Sequence, residues 1–330
     1  MKILVTGSAG FVGANMCQAL KRAPGVQIHG VDDFNAYYNP TLKEARVDAL
    51  ASHITQHRLD IANSQELQTL LHEVEPDLVL HFAAQAGVRH SFNAPMDYAR
   101  SNLTGQVSLL EAVRTTPSVK RIVYASSSSV YSGVPSLPFH EDVALGTPKS
   151  LYAASKIADE VLSDTYSSLY GIDMIGLRFF TVYGPWGRPD MAYWHFAESI
   201  LEGRPLKLFN HGNVRRDFTY IDDVTSAILP MIHEVRDGAP DQARHRIYNI
   251  GNHKPEAVGN MISSLEYLLG RKAHVELVDL PPGDMVETFA DVSRLQSDYN
   301  FSPDTSLFKG LENFVEWFVS WRNTFHNDCY

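Results

Sequence analysis

The stretch "KILVTGSAGFVG", residues 2–13, decides the fold. "KILVT" is a short apolar run of the strand kind. Glycines follow at Gly7, Gly10 and Gly13, and "GFVGANMCQALKRA" then takes a helical pattern. A strand that turns through glycines into a helix presents unpaired backbone N–H groups and the positive end of a helix dipole at one point. The missing side chains let a pyrophosphate come close. The G-x-x-G-x-x-G spacing departs from the usual dinucleotide fingerprint in its first interval only. The residues in contact with such a ligand would be Gly7, Gly10, Phe11, Val12 and Gly13. About 20 residues further on, as that fingerprint requires, "VQIHGVD" (26–32) ends in Asp32, with Asp33 next. Either carboxylate could accept the hydroxyls of an adenosine ribose. An acid there disfavours a 2′-phosphate, so the expected cofactor is NAD rather than NADP.

The pattern continues outward from that loop. "DLVLHFAA" (77–84), "KRIVYAS" (120–126) and "GIDMIGLRFF" (171–180) are further apolar runs separated by helix-like stretches. Near-continuous apolar strands alternating with helices indicate a parallel sheet covered on both faces. The expected fold class is α/β, a Rossmann-type doubly wound parallel sheet with a smaller mixed α/β C-terminal lobe. The expected division is residues 1–181 for the NAD-binding domain and 182–330 mainly for substrate, intertwined with the first. In "LDIAN", Asp60 and Ile61 are candidates to face adenine, and "FAAQAG" puts the small Ala83 and Ala84 where a ribose or pyrophosphate would pass. The net charge is −10, from 38 acidic and 28 basic residues, which argues against nucleic acid or an anionic membrane as partner. No apolar run reaches the ~18 residues of a membrane span. Two cysteines, Cys17 and Cys329, make no disulfide framework, so a cytoplasmic location is expected. His53 and His57 lie four apart in "HITQH", but that segment reads more as a strand, where their rings would not converge, and no metal is expected.

"YAASK" sets Tyr152 and Lys156 one turn apart on a predicted helix. A free phenol titrates near pH ~10; a neighbouring ammonium favours the phenolate, so such a tyrosine can act as a base near neutral pH. With "TGSAGFVG", "HFAAQAGVR", "SNLTG", "YASSSSVY", "FFTVYGPWGRPDMA" and "RDFTYIDD", the chain resembles the extended short-chain dehydrogenase/reductases over essentially its whole length. Among these sugar-nucleotide epimerases and dehydratases, the last two motifs look most like the UDP-glucuronate 4-epimerases. The resemblance implies a Ser127–Tyr152–Lys156 triad, a permanently bound NAD and a cofactor contact from Asn102 of "SNLTG". It also implies a UDP-sugar substrate oxidised transiently at C4, with Ser127 on the 4-oxygen and Lys156 on the nicotinamide ribose. A homodimer would pair through two helices, the candidates being "MDYARSNLTGQVSLLEAVRT" (with Leu103, Val107 and Leu110) and the helix of Tyr152.

The four serines of "YASSSSVYSG" (124–133) bear on the substrate. Related dehydratases and decarboxylases carry an acid immediately before the "VYG" that ends this strand; here the position is Ser129. A 4-keto uronic acid is a β-keto acid and loses CO₂ readily, so a site that epimerises it must hold the carboxylate still. Hydroxyls do that, whereas an acid would repel it. Ser128 and Ser129 are therefore candidate carboxylate donors, or members of a plain serine-rich turn. By the same resemblance Thr181 and Arg188 stand beside the sugar carboxylate, Arg216 and Arg89 are candidates for the diphosphate, and Asp284 for the uridine ribose. Arg216 could instead form a structural pair within "RRD". Galactose epimerases carry an arginine three residues before that Asp; here it is Pro281, so the diphosphate contacts must differ. Competing readings are a 4-epimerase of neutral UDP-hexoses, a UDP-glucuronate decarboxylase and a non-catalytic NAD-binding sensor.

Overall fold

The computed structural model describes residues 1–233, 245–281 and 283–325; Cys329 lies outside them. Twelve strands are described: β1 Lys2–Thr6, β2 Gln27–Asp32, β3 Thr55–Arg58, β4 Leu78–His81, β5 Arg121–Ser127, β6 Asp173–Phe179, β7 Thr181–Tyr183, β8 Pro205–Phe209, β9 Arg215–Tyr220, β10 His245–Ile250, β11 Pro255–Ala257 and β12 His274–Val278. Seven form one sheet in the order β10-β6-β5-β4-β1-β2-β3, with every pairing parallel. Side chains alternate along each strand, and both faces are apolar. Ile3, Val5, Leu78, Leu80, Val123 and Ile175 pack in one cluster; Leu4, Val79, Ile122 and Met174 pack in a second. Burial on both faces explains why these strands read as continuous apolar runs rather than alternating ones.

The strand order reverses between β1 and β4. This is where an open parallel sheet leaves a crevice at its carboxyl edge. Beyond β6 the chain builds two smaller sheets, β11-β9-β7 and β12-β8. Between β9 and β11 it returns β10 to the large sheet beside β6, so the sheet takes a strand from the C-terminal half. Two loops that the apolar periodicity does not describe converge on the crevice. One is the segment Ser128–Gly133, a 3-10 turn continuing directly from β5. The other runs from β7 to the helix Ala192–Glu202 and carries the "GPWGRPD" motif. Among the described residues, no helix is long and apolar enough to cross a membrane.

Candidate active site

A cavity of about 770 Å³ opens at the carboxyl edge of the large sheet. Its floor starts at the glycine loop. Gly7 has φ +72°, and a side chain there would press into the Phe82–Ala83 backbone at 2.7 Å, so the turns after β1 and β4 touch across the switch point. A Cβ on Gly13 would strike the Gly7 carbonyl. The helix Phe11–Leu20 starts at Gly10 with no side chain capping it. Its first amides therefore face the cavity, the arrangement a pyrophosphate requires. Phe11, Val12, Asp32, Asp33, Asp60, Ile61, Ala83 and Ala84 all line the same wall. The residues present thus fit a dinucleotide.

Asp32 does more than face a ribose. It is buried, and its two oxygens accept the amides of Ala9 (3.1 Å) and Phe34 (2.8 Å). Burial pushes its carboxyl upward, partly offset by the Lys43 ammonium at 3.8 Å. Asp33 is more open and accepts from Asn35. Asn102 is placed differently from the other expected cofactor contacts. The described cavity wall includes Ser101 rather than Asn102. The Asn102 amide is buried, accepts the Gln85 N–H (2.8 Å) and donates to the Gln85 carbonyl and Ser155 Oγ. It fixes the backbone after β4 against the helix that carries Tyr152. The π-helical turn Ala99–Thr104 shifts the helical register there, an irregularity that apolar periodicity cannot forecast.

Ser127, Tyr152 and Lys156 all line the cavity. Ser127 is the last residue of β5. Tyr152 and Lys156 stand one turn apart on the helix Leu151–Tyr170, whose N-terminus Ser150 caps by accepting the Ala153 amide. Lys156 Nζ donates to the Ala125 carbonyl (3.0 Å), two residues before Ser127, which ties the lysine to the strand. Its second bond goes to Asp159 Oδ2 (3.0 Å). The Tyr152 ring meets the Tyr98 ring edge-on at 6.0 Å.

The serine run divides into two jobs. Ser126 lies at the cavity edge, and its hydroxyl is taken up in donating to Glu160 Oε1 (2.5 Å). Glu160 in turn holds Arg178 in a bidentate pair, with Nε–Oε1 at 2.9 Å and Nη2–Oε2 at 2.7 Å. Arg178 also donates to Tyr131 and the Glu141 carbonyl. Burial opposes the Arg178 charge, but the Glu160 carboxylate outweighs it and holds the guanidinium firmly protonated. Ser127, Ser128 and Ser129 also line the cavity, with no such carboxylate partner among the described residues, and Ser127 Oγ accepts the Ser129 amide at 3.1 Å. In register, Ser127 sits beside Phe179 of β6, two residues before Thr181, which lines the same cavity.

Arg188 lines the cavity too, already gripped. Its Nε and Nη2 donate to the two oxygens of Asp190 at 2.9 Å each, and Asp190 also accepts the Tyr37 hydroxyl at 3.2 Å. Nη1 has no protein partner among the described residues. At the far end stand Arg89, Arg216 and Asp284. Arg89 pairs with Asp284 at 3.1 Å. Arg216 forms no ion pair with Arg215 or Asp217 among the described residues: its Nη1 donates to the carbonyls of Arg215 (2.9 Å) and Val286 (3.2 Å), Asp217 accepts the amides of Asn252, His253 and Ala290, and Arg215 pairs with Glu287. Burial and the nearby Arg89 charge lower the proton affinity of Arg216, and Asp284 only partly offsets this. An anion there would be welcome.

Several positioning groups escaped the sequence reading. Arg46 is fully buried and donates to the carbonyls of Ala9, Trp186 and Gly187 and to the Tyr38 hydroxyl, stapling the glycine loop to the loop of Arg188. It lies on the helix Pro40–Leu50, whose sequence carries no motif that marks it. Asp190 and Asp159 did leave one: each is an acid two or three residues from a proposed functional cation. His53 and His57 do not face each other, since His53 meets the Cys17 carbonyl and His57 stacks on His29.

A parallel-sheet crevice with a glycine-cradled dinucleotide wall and a Ser–Tyr–Lys cluster defines a nucleotide-dependent oxidoreductase-type site of the short-chain dehydrogenase/reductase class. Residues 3–251 match the model of the NAD dependent epimerase/dehydratase family, and the chain belongs to that family. It is 39% identical over 333 residues to protein CapI of Staphylococcus aureus, covering 97% of this chain and 99% of that one. It is 43% identical over 332 residues to UDP-glucuronate 4-epimerase 3 of Arabidopsis thaliana, covering 97% and 77% respectively. Among solved structures it superposes on the UDP-glucuronic acid 4-epimerase of Bacillus cereus, in complex with UDP-glucuronic acid and NAD. The TM-score is 0.90, with 34% identity and coverage of 97% and 100%.

Proposed function

We infer that this protein is an NAD-dependent UDP-glucuronate 4-epimerase, interconverting UDP-glucuronate and UDP-galacturonate. The observation that carries the reading is the uncharged end of β5. Ser127, Ser128 and Ser129 share one cavity with Thr181 and Arg188, and no acid replaces Ser129 before "VY". NAD, held by the glycine loop, supplies reversible oxidation at the sugar C4. Tyr152 takes and returns the proton of the 4-hydroxyl, Ser127 hydrogen-bonds the 4-oxygen, and Lys156 holds a charge beside both. Ser128, Ser129, Thr181 and the free edge of Arg188 restrain the carboxylate, while Arg89 and Arg216 take the diphosphate and Asp284 the uridine ribose. Residues 1–181 bind mainly the cofactor and 182–330 mainly the UDP-sugar.

The same reading makes the protein a cytoplasmic homodimer. Supporting the dimer, Met96, Val107, Val161 and Leu169 are exposed apolar side chains on the two candidate helices. Leu110, expected with them, belongs instead to the core, and Leu103 is half-buried. The test of function is turnover of UDP-glucuronate against UDP-glucose by the purified protein. Preference for the uronate with UDP-galacturonate as product supports the reading; preference for the neutral sugar favours a hexose epimerase.

A further inference from the structure

Asp159 is 1% exposed, sits on the helix face beneath the active site, and holds Lys156 Nζ at 3.0 Å. The second fixed bond of Lys156 goes to the Ala125 carbonyl. Asp159 Oδ1 is buried without a hydrogen-bond partner, which is unusual for a carboxylate oxygen. A group buried at that cost and aimed at the ammonium of a proposed catalytic lysine does more than fill space. We propose that Asp159 is a positioning residue that sets how much of the Lys156 charge acts on the Tyr152 phenol. The ammonium is anchored on the strand side by Ala125 and on the helix side by Asp159. Its third N–H remains for the cavity. The carboxylate offsets part of the positive field that favours the phenolate.

The charged and titratable groups around Asp159 are few. Lys156 and Glu160 are on its own helix, and Glu160 is already bound to Arg178. Tyr124 approaches from β5 and is held protonated by burial. His81 on β4 lies beyond Lys156 and is held neutral, first by burial and then by the lysine charge. Among the described residues Lys156 is therefore the one cation hydrogen-bonded to Asp159, and their mutual geometry decides the local field. Burial lifts the Asp159 carboxyl to about 6, with Lys156 opposing, so the carboxylate is charged at neutral pH.

This inference rests on the assignment of Tyr152 as base and Lys156 as its charged neighbour. The test uses the holoenzyme and two readouts: the acid limb of the kcat/KM–pH profile for UDP-glucuronate, and the ultraviolet tyrosinate titration of Tyr152. The second is taken as the difference between each variant and the same variant carrying Tyr152→Phe. Asp159→Asn removes the charge at nearly constant shape. Both readouts are expected to move down by about one pH unit, the low end of what a nearby charge does. Asp159→Glu, which restores the charge, is expected to return both toward wild type. Asp159→Ser supplies the same removal of charge if Asn perturbs folding. If Tyr152→Phe is inactive but the Asn and Ser variants leave both readouts unmoved, the Asp159 proposal falls and the base assignment stands. If Tyr152→Phe turns over normally, the base assignment falls and takes the proposal with it.

Discussion

Arg188→Ala tests whether this cavity selects a carboxylate. In the structure two of the guanidinium nitrogens, Nε and Nη2, are bound to Asp190, and Nη1 is left to meet a substrate. One charge-assisted hydrogen bond is worth about 1.5–3 kcal/mol. At 1.4 kcal/mol per tenfold, kcat/KM for UDP-glucuronate should fall about 10- to 150-fold. UDP-glucose has no carboxylate and should lose less than about threefold, because only packing changes. The loss has a second part. Without Arg188, Asp190 keeps the Tyr37 hydroxyl but stands in the cavity as a bare carboxylate, repelling the uronate. Arg188→Ala/Asp190→Asn should therefore recover part of the activity lost in Arg188→Ala, a non-additivity that a double-mutant cycle reads directly. The assay is steady-state epimerisation of both sugars by wild type and the three variants, with products separated chromatographically. Equal losses for the two sugars, or no recovery in the double variant, would refute the reasoning.

Tyr152→Phe should lower turnover by about 10²–10⁴ or more while NAD and UDP-sugar binding persist, checked by kinetics beside calorimetry. Ser129→Glu places a like charge beside the substrate carboxylate; mass spectrometry should detect CO₂ loss to a 4-keto pentose and reduced cofactor, and a clean uronate product would count against the serine assignment. Glu160→Gln leaves Arg178 buried beside a neutral partner, so thermal unfolding should report a loss approaching the ~3–5 kcal/mol of a broken buried pair. His81 is buried against Thr6, with its pKa pushed down to about 3 from 6.5. The folded state therefore binds fewer protons than the unfolded one, and this contribution to stability, present above pH 6.5, is lost as pH falls toward 3. His81→Gln should flatten the acid side of the melting-temperature profile, and an unchanged profile would argue against it. Light scattering should give about twice the 36.9 kDa chain mass; a monomer at micromolar concentration would refute the dimer.

Much of the fold was legible because its strands are buried on both faces, so the apolar runs at 2–6, 77–84 and 120–126 marked β1, β4 and β5 within a residue, except for the end of β4, overshot by three residues. The side chains gathered at the cavity were legible where short-range spacing carries chemistry: the glycine loop, the i, i+4 pair of Tyr152 and Lys156, and the serine run. What was not legible depends on long-range contact. Ser126 looks like its three neighbours, yet strand alternation turns it toward Glu160, a partner 34 residues away. Arg46 gains its role only because the loop after β7 folds back 140 residues later to Trp186. Asn102 sits in a motif that suggests cofactor contact, but the π turn aims it at Gln85 and Ser155. Leu110 follows the same helical spacing as Val107, and only packing decides that one is core and the other surface.

The most direct test of the central claim follows the hydrogen at C4. UDP-glucuronate deuterated at C4 is incubated in ordinary water with the purified protein and no added cofactor beyond what the protein carries, and the product is read by NMR. An epimerase working through its own tightly held NAD, with the carboxylate restrained by Ser128, Ser129, Thr181 and Arg188, gives UDP-galacturonate with deuterium still at C4 and the carboxyl intact. Deuterium washed out to solvent, a pentose product, or turnover confined to UDP-glucose would contradict the account.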